Sequence, residues 1–327
     1  MQASKSLLAT LGGSRVRPLL MNASQILECV PNFSEGIDPD VVRRIVLAMK
    51  IHGVRLLDYS LDRDHNRSVV TVAGEPSAVV EAAILAAGTA AQLINLTKQT
   101  GVHPRIGAAD VIPFVPVSGI TMAQAAMLAR QAGLQIWRRF GVPVYFYGGA
   151  AARPDRMQLE DVRRGQFEGL REASLRDSAR RPDVGGPELH ATAGASAVGA
   201  RTFLIAYNVY LAPGADISHA RAIARDVRAS SGGMQGVKAL GVVANGRAQV
   251  SMNITDFHLT PMTSVFENLE KVASNHGTKI AEGELIGLIP EEAYNADAAW
   301  VQVIPNFDPS EKILERKLDH PLAWPEA

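Results

Sequence analysis

The chain predicts an α+β fold of two tandem βαββαβ units. Three observations carry this: the order strand, helix, strand, strand, helix, strand can be read twice along 327 residues, the first helix of each reading shows one apolar stripe, and a Gly-rich stretch separates the two readings. The length suits two domains, or one domain of two similar halves.

Ile26–Asn32 reads as a buried strand. Asp38 then offers an N-cap with Pro39 at the first helical position. Val41, Val42, Ile45, Val46 and Met49 give that helix its apolar side. Val54–Leu61 and Arg67–Gly74 are the next strands, parted by the polar turn DRDHN. An Ala-rich helix runs from Pro76 to Ile94, and Val111–Val117 is the strand that closes the unit. Thr121 and Gln124 have capping-box spacing for one more helix, and Val144–Tyr147 is a short strand.

Residues 148–200 read mostly as loop, with a short helix near Leu159–Arg164. The pattern then restarts with a strand at Phe203–Leu211 and a helix at Ile217–Ala229. Strands at Val237–Val243 and Gln249–Ile254, a helix after Pro261 and a strand at Glu284–Ile289 complete it. This order is that of ferredoxin-like sheets. Stacking two such sheets leaves a cleft between the halves, where ligands commonly lie. The expected division is residues 1–24 as a disordered extension, then 25–182 and 183–327.

Thirty-three basic residues balance thirty-three acidic ones, which argues against broad binding of nucleic acid or a membrane surface. The apolar runs are too interrupted for a membrane span. Cys29 is the one cysteine, so no intrachain disulfide forms, a cytoplasmic, reducing setting fits, and its apolar neighbours suggest a packed thiol.

In TGVHPRIGAADVIPFVPV, Pro104 stiffens the backbone around His103, Gly107 permits close chain approach, and Arg105 offers a fork for a carboxylate. A held imidazole beside an anion-binding group suits proton transfer, or simply a loop fastened by hydrogen bonds. DRDHN invites a metal through Asp62, Asp64 and Asn66, but the glycine and glutamate of a calcium loop are missing, so a solvated turn is expected there. His65 and Arg67 remain substrate-contact candidates. SSGGMQGVKALG fails the spacing of a nucleotide loop and suits a helix cap. Gln249, Ser251 and Asn253 alternate against Val250, Met252 and Ile254, giving a sheet face that is either wet or lines the cleft. GGPELHATAGASAVGAR interleaves Leu189, His190 and Val198 with small residues, which fits a loop packed against something better than a free linker.

The stretches ECVPNFSEG, HNRSVVT, HPRIGAADVIPFVPV, RRGQFEGL, HATAGASAVGAR and QVSMN, in this order over residues 25 to 290, resemble the glutamate formiminotransferase family. The resemblance is to its single-activity bacterial type, and implies a transferase moving a formimino group between N-formimino-L-glutamate and tetrahydrofolate in histidine degradation. It implies two α/β subdomains with folate, the co-substrate, between them, no metal, and a homodimer. His103 corresponds to the catalytic histidine. The folate loop corresponds to Gly185, Gly186, Pro187, Glu188, Leu189, His190, Ala191, Thr192, Ala193 and Gly194, with a further contact at Asp226. Relatives often carry an acidic residue where this chain has Val102. Arg105, with Arg67 or Arg201, is the expected clamp for substrate carboxylates. A formyltransferase using formyl-folate and a non-catalytic folate-binding module are the alternatives.

Overall fold

A computed structural model describes residues 25–63, 65–101 and 104–326. The extension at 1–24, Asp64, Val102 and His103 lie outside the described residues.

The first half contains β1 (Ile26–Cys29), β2 (Asn32–Phe33), α1 (Pro39–Ala48), β3 (Val54–Asp62), β4 (Arg67–Gly74), α2 (Pro76–Leu93), β5 (Ala109–Ser118), α3 (Met122–Phe140), β6 (Val144–Gly148), α4 (Leu159–Val162), α5 (Gln166–Arg176) and β7 (Ser196–Ala200). The predicted first strand is split at Val30–Pro31, because proline has no amide to give to the ladder. Both pieces still lie between β4 and β5. Across the sheet the order is β3, β4, β1 with β2, β5, β7, β6. β7 runs parallel to both of its neighbours.

Local chemistry accounts for the helices. Asp38 accepts hydrogen bonds from the amides of Asp40 and Val41, and Pro39 follows, as the sequence predicts. Thr121 and Gln124 close their reciprocal capping box at 3.2 and 2.8 Å. α2 is long and apolar enough by length and composition to cross a membrane, yet ten of its residues are buried in the first-half core. Its Gly88 faces the Phe140 ring of α3, where a Cβ would lie 2.2 Å from the ring.

The second half contains β8 (Ile205–Leu211), α6 (Ile217–Val227), β9 (Val237–Ala244), β10 (Arg247–Ile254), α7 (Met262–Asn275) and β11 (Ile280–Ile286), followed by short α8 (Ala299–Gln302), α9 (Pro309–Lys312) and α10 (Leu314–Asp319). Its antiparallel order β11, β8, β10, β9 repeats β5, β1, β4, β3 of the first half, position for position. Each sheet keeps its own core, with α1 to α3 against the first and α6 and α7 against the second.

Three expectations need correction. Residues 148–200 hold more than the one short helix expected there, because α5 and β7 also form. Residues 183–200, expected in the second half, complete the first sheet, so the halves divide between Ala200 and Ile205. The last strand ends at Ile286 rather than Ile289. Gly287, at φ 72°, turns the chain out, and Leu288 and Ile289 are buried without pairing as a strand.

The halves meet on the side of the first sheet away from α1–α3. There Leu57 and Ala73 pack with Leu288, Leu314 and Leu318, and the Leu322 amide donates to the Leu56 carbonyl at 2.8 Å. A second joint is formed by Lys238 of β9, whose Nζ lies 2.7 Å from Glu160 of α4.

Candidate functional site

The segments flanking Val102–His103 are fixed from both sides. Upstream, Asn66 accepts the Gly36 amide at 2.9 Å and donates to the Thr100 carbonyl at 2.8 Å, while Gln99 donates to the Asn66 carbonyl at 3.0 Å. Asn66 has φ 49°, a left-handed conformation that asparagine tolerates. The turn between β3 and β4 therefore holds the end of the segment that follows α2. The chains approach closely here: a Cβ on Gly101 would lie 2.6 Å from the His65 carbonyl oxygen.

Downstream, the Arg105 carbonyl accepts the Phe167 amide at 2.8 Å. The Arg105 guanidinium, buried to 8% exposure, donates to the Gln99 carbonyl and to Glu168 of α5, both at 3.0 Å. Its Nη2 thus braces the loop, while the residue also lines the cleft around Arg67. Ser34 donates to the Gly107 carbonyl at 2.7 Å, and the Ile106 amide donates to Asp110 Oδ1 at 2.7 Å.

Asp110 also pairs with Arg163, the residue that ends α4. Arg67 shares a small cleft with Asn32, Ser34, His65, Arg105 and Asp110. Burial, and then the neighbouring Arg163 charge, push the Arg67 guanidinium down to about 10, with Asp110 and Asp62 opposing. α4 connects this cleft to the second half, because Glu160 and Arg163 are three residues apart on one helical side, the first reaching Lys238 and the second Asp110.

Gly185–Gly194 packs against the same loop. Gly107 bridges Gly194, the Ala108 amide donates to the Ala193 carbonyl at 2.9 Å, and the Leu96 amide donates to Thr192 at 2.9 Å. Within the segment His190 and Gly194 exchange backbone hydrogen bonds, and His190 Nδ1 accepts the Ala193 amide at 3.0 Å. Leu189 and Ala193 are buried, whereas Gly186, Pro187, Glu188 and Ala191 are exposed. Gly185 rests on the Trp137 ring at the end of α3.

Asp226 lies on α6 in the second half. It pairs with His276 at 2.8 Å and with Arg225, and the His276 hydrogen bond holds its carboxyl below the usual range. Arg201 belongs to a group on the side of the first sheet that meets the second half. Next to it Glu28, 2% exposed, is pushed up to about 7 by burial, with Arg201 opposing and Glu315 adding. Tyr147 is raised to about 12 by burial despite the nearby Arg201 and Arg163. The sequence reading passed over Glu28. Its signal was a lone acid inside the apolar run ILECV.

Among the described residues no three His, Cys, Asp or Glu side chains gather as a metal set.

The family described as formiminotransferase domain, N-terminal subdomain, matches residues 26–201, and the formiminotransferase domain matches residues 206–307. The break between these matches coincides with the passage from β7 to β8. A glutamate formimidoyltransferase of Streptococcus pyogenes serotype M1 is 42% identical over 299 residues, covering 90% of this chain and 99% of the relative. One of Thermoplasma acidophilum is 41% identical, covering 90% and 97%. The formimidoyltransferase-cyclodeaminase of Mus musculus is 36% identical over 89% of this chain and 60% of the relative. With both subdomains matched in order and such relatives aligned over nine-tenths of its length, the chain is a transferase that belongs to the formiminotransferase family.

Proposed function

We propose that this protein transfers the formimino group between N-formimino-L-glutamate and tetrahydrofolate in histidine degradation, with His103 as the proton carrier. The observation that carries the reading is the double fixation of the loop around His103: Asn66 and Gln99 hold one side, Asp110 and Phe167 the other. A group meant to move protons benefits from being held in place before substrate arrives.

The chemistry asks for such a group. N5 of tetrahydrofolate attacks the amidine carbon, forming a tetrahedral intermediate from which the glutamate nitrogen departs. One proton leaves the attacking nitrogen and one reaches the departing nitrogen. An imidazole with its ordinary pKa of about 6.5 serves both steps, and such catalysis contributes on the order of 10²–10⁴-fold. No redox change occurs.

Folate is placed between the two halves, against Gly185–Gly194. The packing of that segment on Ala108 and Gly107 supports this, since both would then border the same reacting atoms. Arg67, beside Asp110 and Arg163, supplies positive charge for a glutamate carboxylate, while Arg105 braces the loop. The matching strand order of the two sheets supports a pair of ferredoxin-like subdomains, and family matches that end at 201 and resume at 206 fit a boundary between them. A cytoplasmic homodimer with Asp226 as an outlying folate contact completes the proposal.

Purified protein is expected to consume formiminoglutamate only when tetrahydrofolate is present. Turnover with formyl-folate but not with formiminoglutamate would replace this reading.

A further inference from the structure

The second sheet has a polar side that the reading above leaves unused. In β10, Val250, Met252 and Ile254 join the core, so Gln249, Ser251 and Asn253 face away from α6 and α7. Strand register sets Asn208 of β8 directly between Ser251 of β10 and Glu284 of β11. Asn208 Nδ2 donates to Glu284 Oε2 at 3.0 Å, and Gln249 Nε2 donates to the same oxygen at 3.2 Å.

The orientation of both amides follows from this. An ionised carboxylate only accepts, so each amide turns its NH2 toward Glu284 and its carbonyl oxygen elsewhere. Asn208 and Gln249 are 9% and 4% exposed, so both amides are held in place by their surroundings. Among the described residues nothing donates to Glu284 Oε1, Asn208 Oδ1 or Gln249 Oε1. Three acceptors therefore gather on one sheet face, beside a floor of small residues, Ser251 and Ala206. Lys238, on the same side of the sheet, reaches Glu160 of α4, so this face borders the half that carries the His103 loop.

We infer that Glu284, Asn208 and Gln249 recognise the donor edge of the folate pterin ring, its N3–H and 2-amino group. The inference rests on the folate reading above and assigns the part of folate that this half holds. That edge has three N–H bonds and no acceptor, which complements three oxygens. The flat ring suits the small floor. Glu284 anchors the array, because removing its charge releases both amides to turn their NH2 groups toward the ligand.

Binding is measured on the intact protein with 5-formyltetrahydrofolate, its analogue carrying methyl in place of the 2-amino group, and p-aminobenzoylglutamate, which lacks the pterin. The wild type is expected to prefer the 2-amino compound at least about tenfold. Glu284→Gln should narrow that preference to about twofold, with p-aminobenzoylglutamate binding and the KM for formiminoglutamate unchanged. A wild type indifferent to the 2-amino group, a preference that survives in Glu284→Gln, or a variant impaired only toward formiminoglutamate overturns the inference and leaves the folate reading standing. A wild type that binds no folate overturns both. The wild-type comparison changes only the ligand, so a misfolded variant cannot hide the result.

Discussion

The Ile106 amide donates to Asp110 Oδ1 at 2.7 Å, while Arg163 holds the other oxygen of the same carboxylate. One 3%-exposed acid thus fastens the loop after His103 to the end of α4.

Removing the charge should be costly. In Asp110→Asn the hydrogen bond to Ile106 can survive, but Arg163 loses its counter-charge with Arg67 close by. Breaking a buried pair from one side costs about 3–5 kcal/mol. The urea midpoint should fall accordingly, and a midpoint unchanged from wild type would show that Asp110 does not carry this load.

His103→Ala should cut turnover by on the order of 10²–10⁴-fold while folate still binds. The check is a single-turnover rate beside a folate titration. Retention of activity within about tenfold removes His103 from the chemistry.

Gly107 is predicted to tolerate no side chain. Its Cβ would lie 2.1 Å from the Ala195 carbonyl oxygen, a backbone atom that a rotamer change cannot clear. Gly107→Ala should lose roughly 1–3 kcal/mol of stability, as overpacking does, and should lower activity beyond what the unfolded fraction explains. Thermal melts paired with rates at a temperature where the variant is folded test this.

Glu28 gives a pH dependence. Its carboxyl keeps a proton to about pH 7 when folded, against 4.5 for a glutamate in water. The folded state therefore binds the extra proton, so this group's contribution is most favourable below about 4.5 and is lost as pH rises toward 7. At about 1.4 kcal/mol per unit, the loss is roughly 3 kcal/mol. Glu28→Gln should lack this component, so its stability relative to wild type should improve between pH 5 and 8. Parallel stability curves for the two proteins would refute the assignment.

The sequence by itself determined the features that are local. The Asp38–Pro39 start and the Thr121–Gln124 box act within four residues, and the apolar stripes of α1 and α6 depend only on helical spacing. The doubled strand–helix order was legible for the same reason, and motif blocks made the family legible as well. Tertiary structure alone decided what depends on distant partners. SAVGA has little strand character, and it becomes β7 because β5 and β6, both far upstream, flank it in parallel. Leu288 and Ile289 look like strand, but they are buried beside α10 and Lys312 instead. The brace on Arg105 exists only because α5 delivers Glu168, sixty-three positions later. Glu28 owes its proton to burial under the second half, which no pattern along the chain records. Capping and periodicity are short-range forces, whereas desolvation and ion pairing exist only once remote segments have packed together.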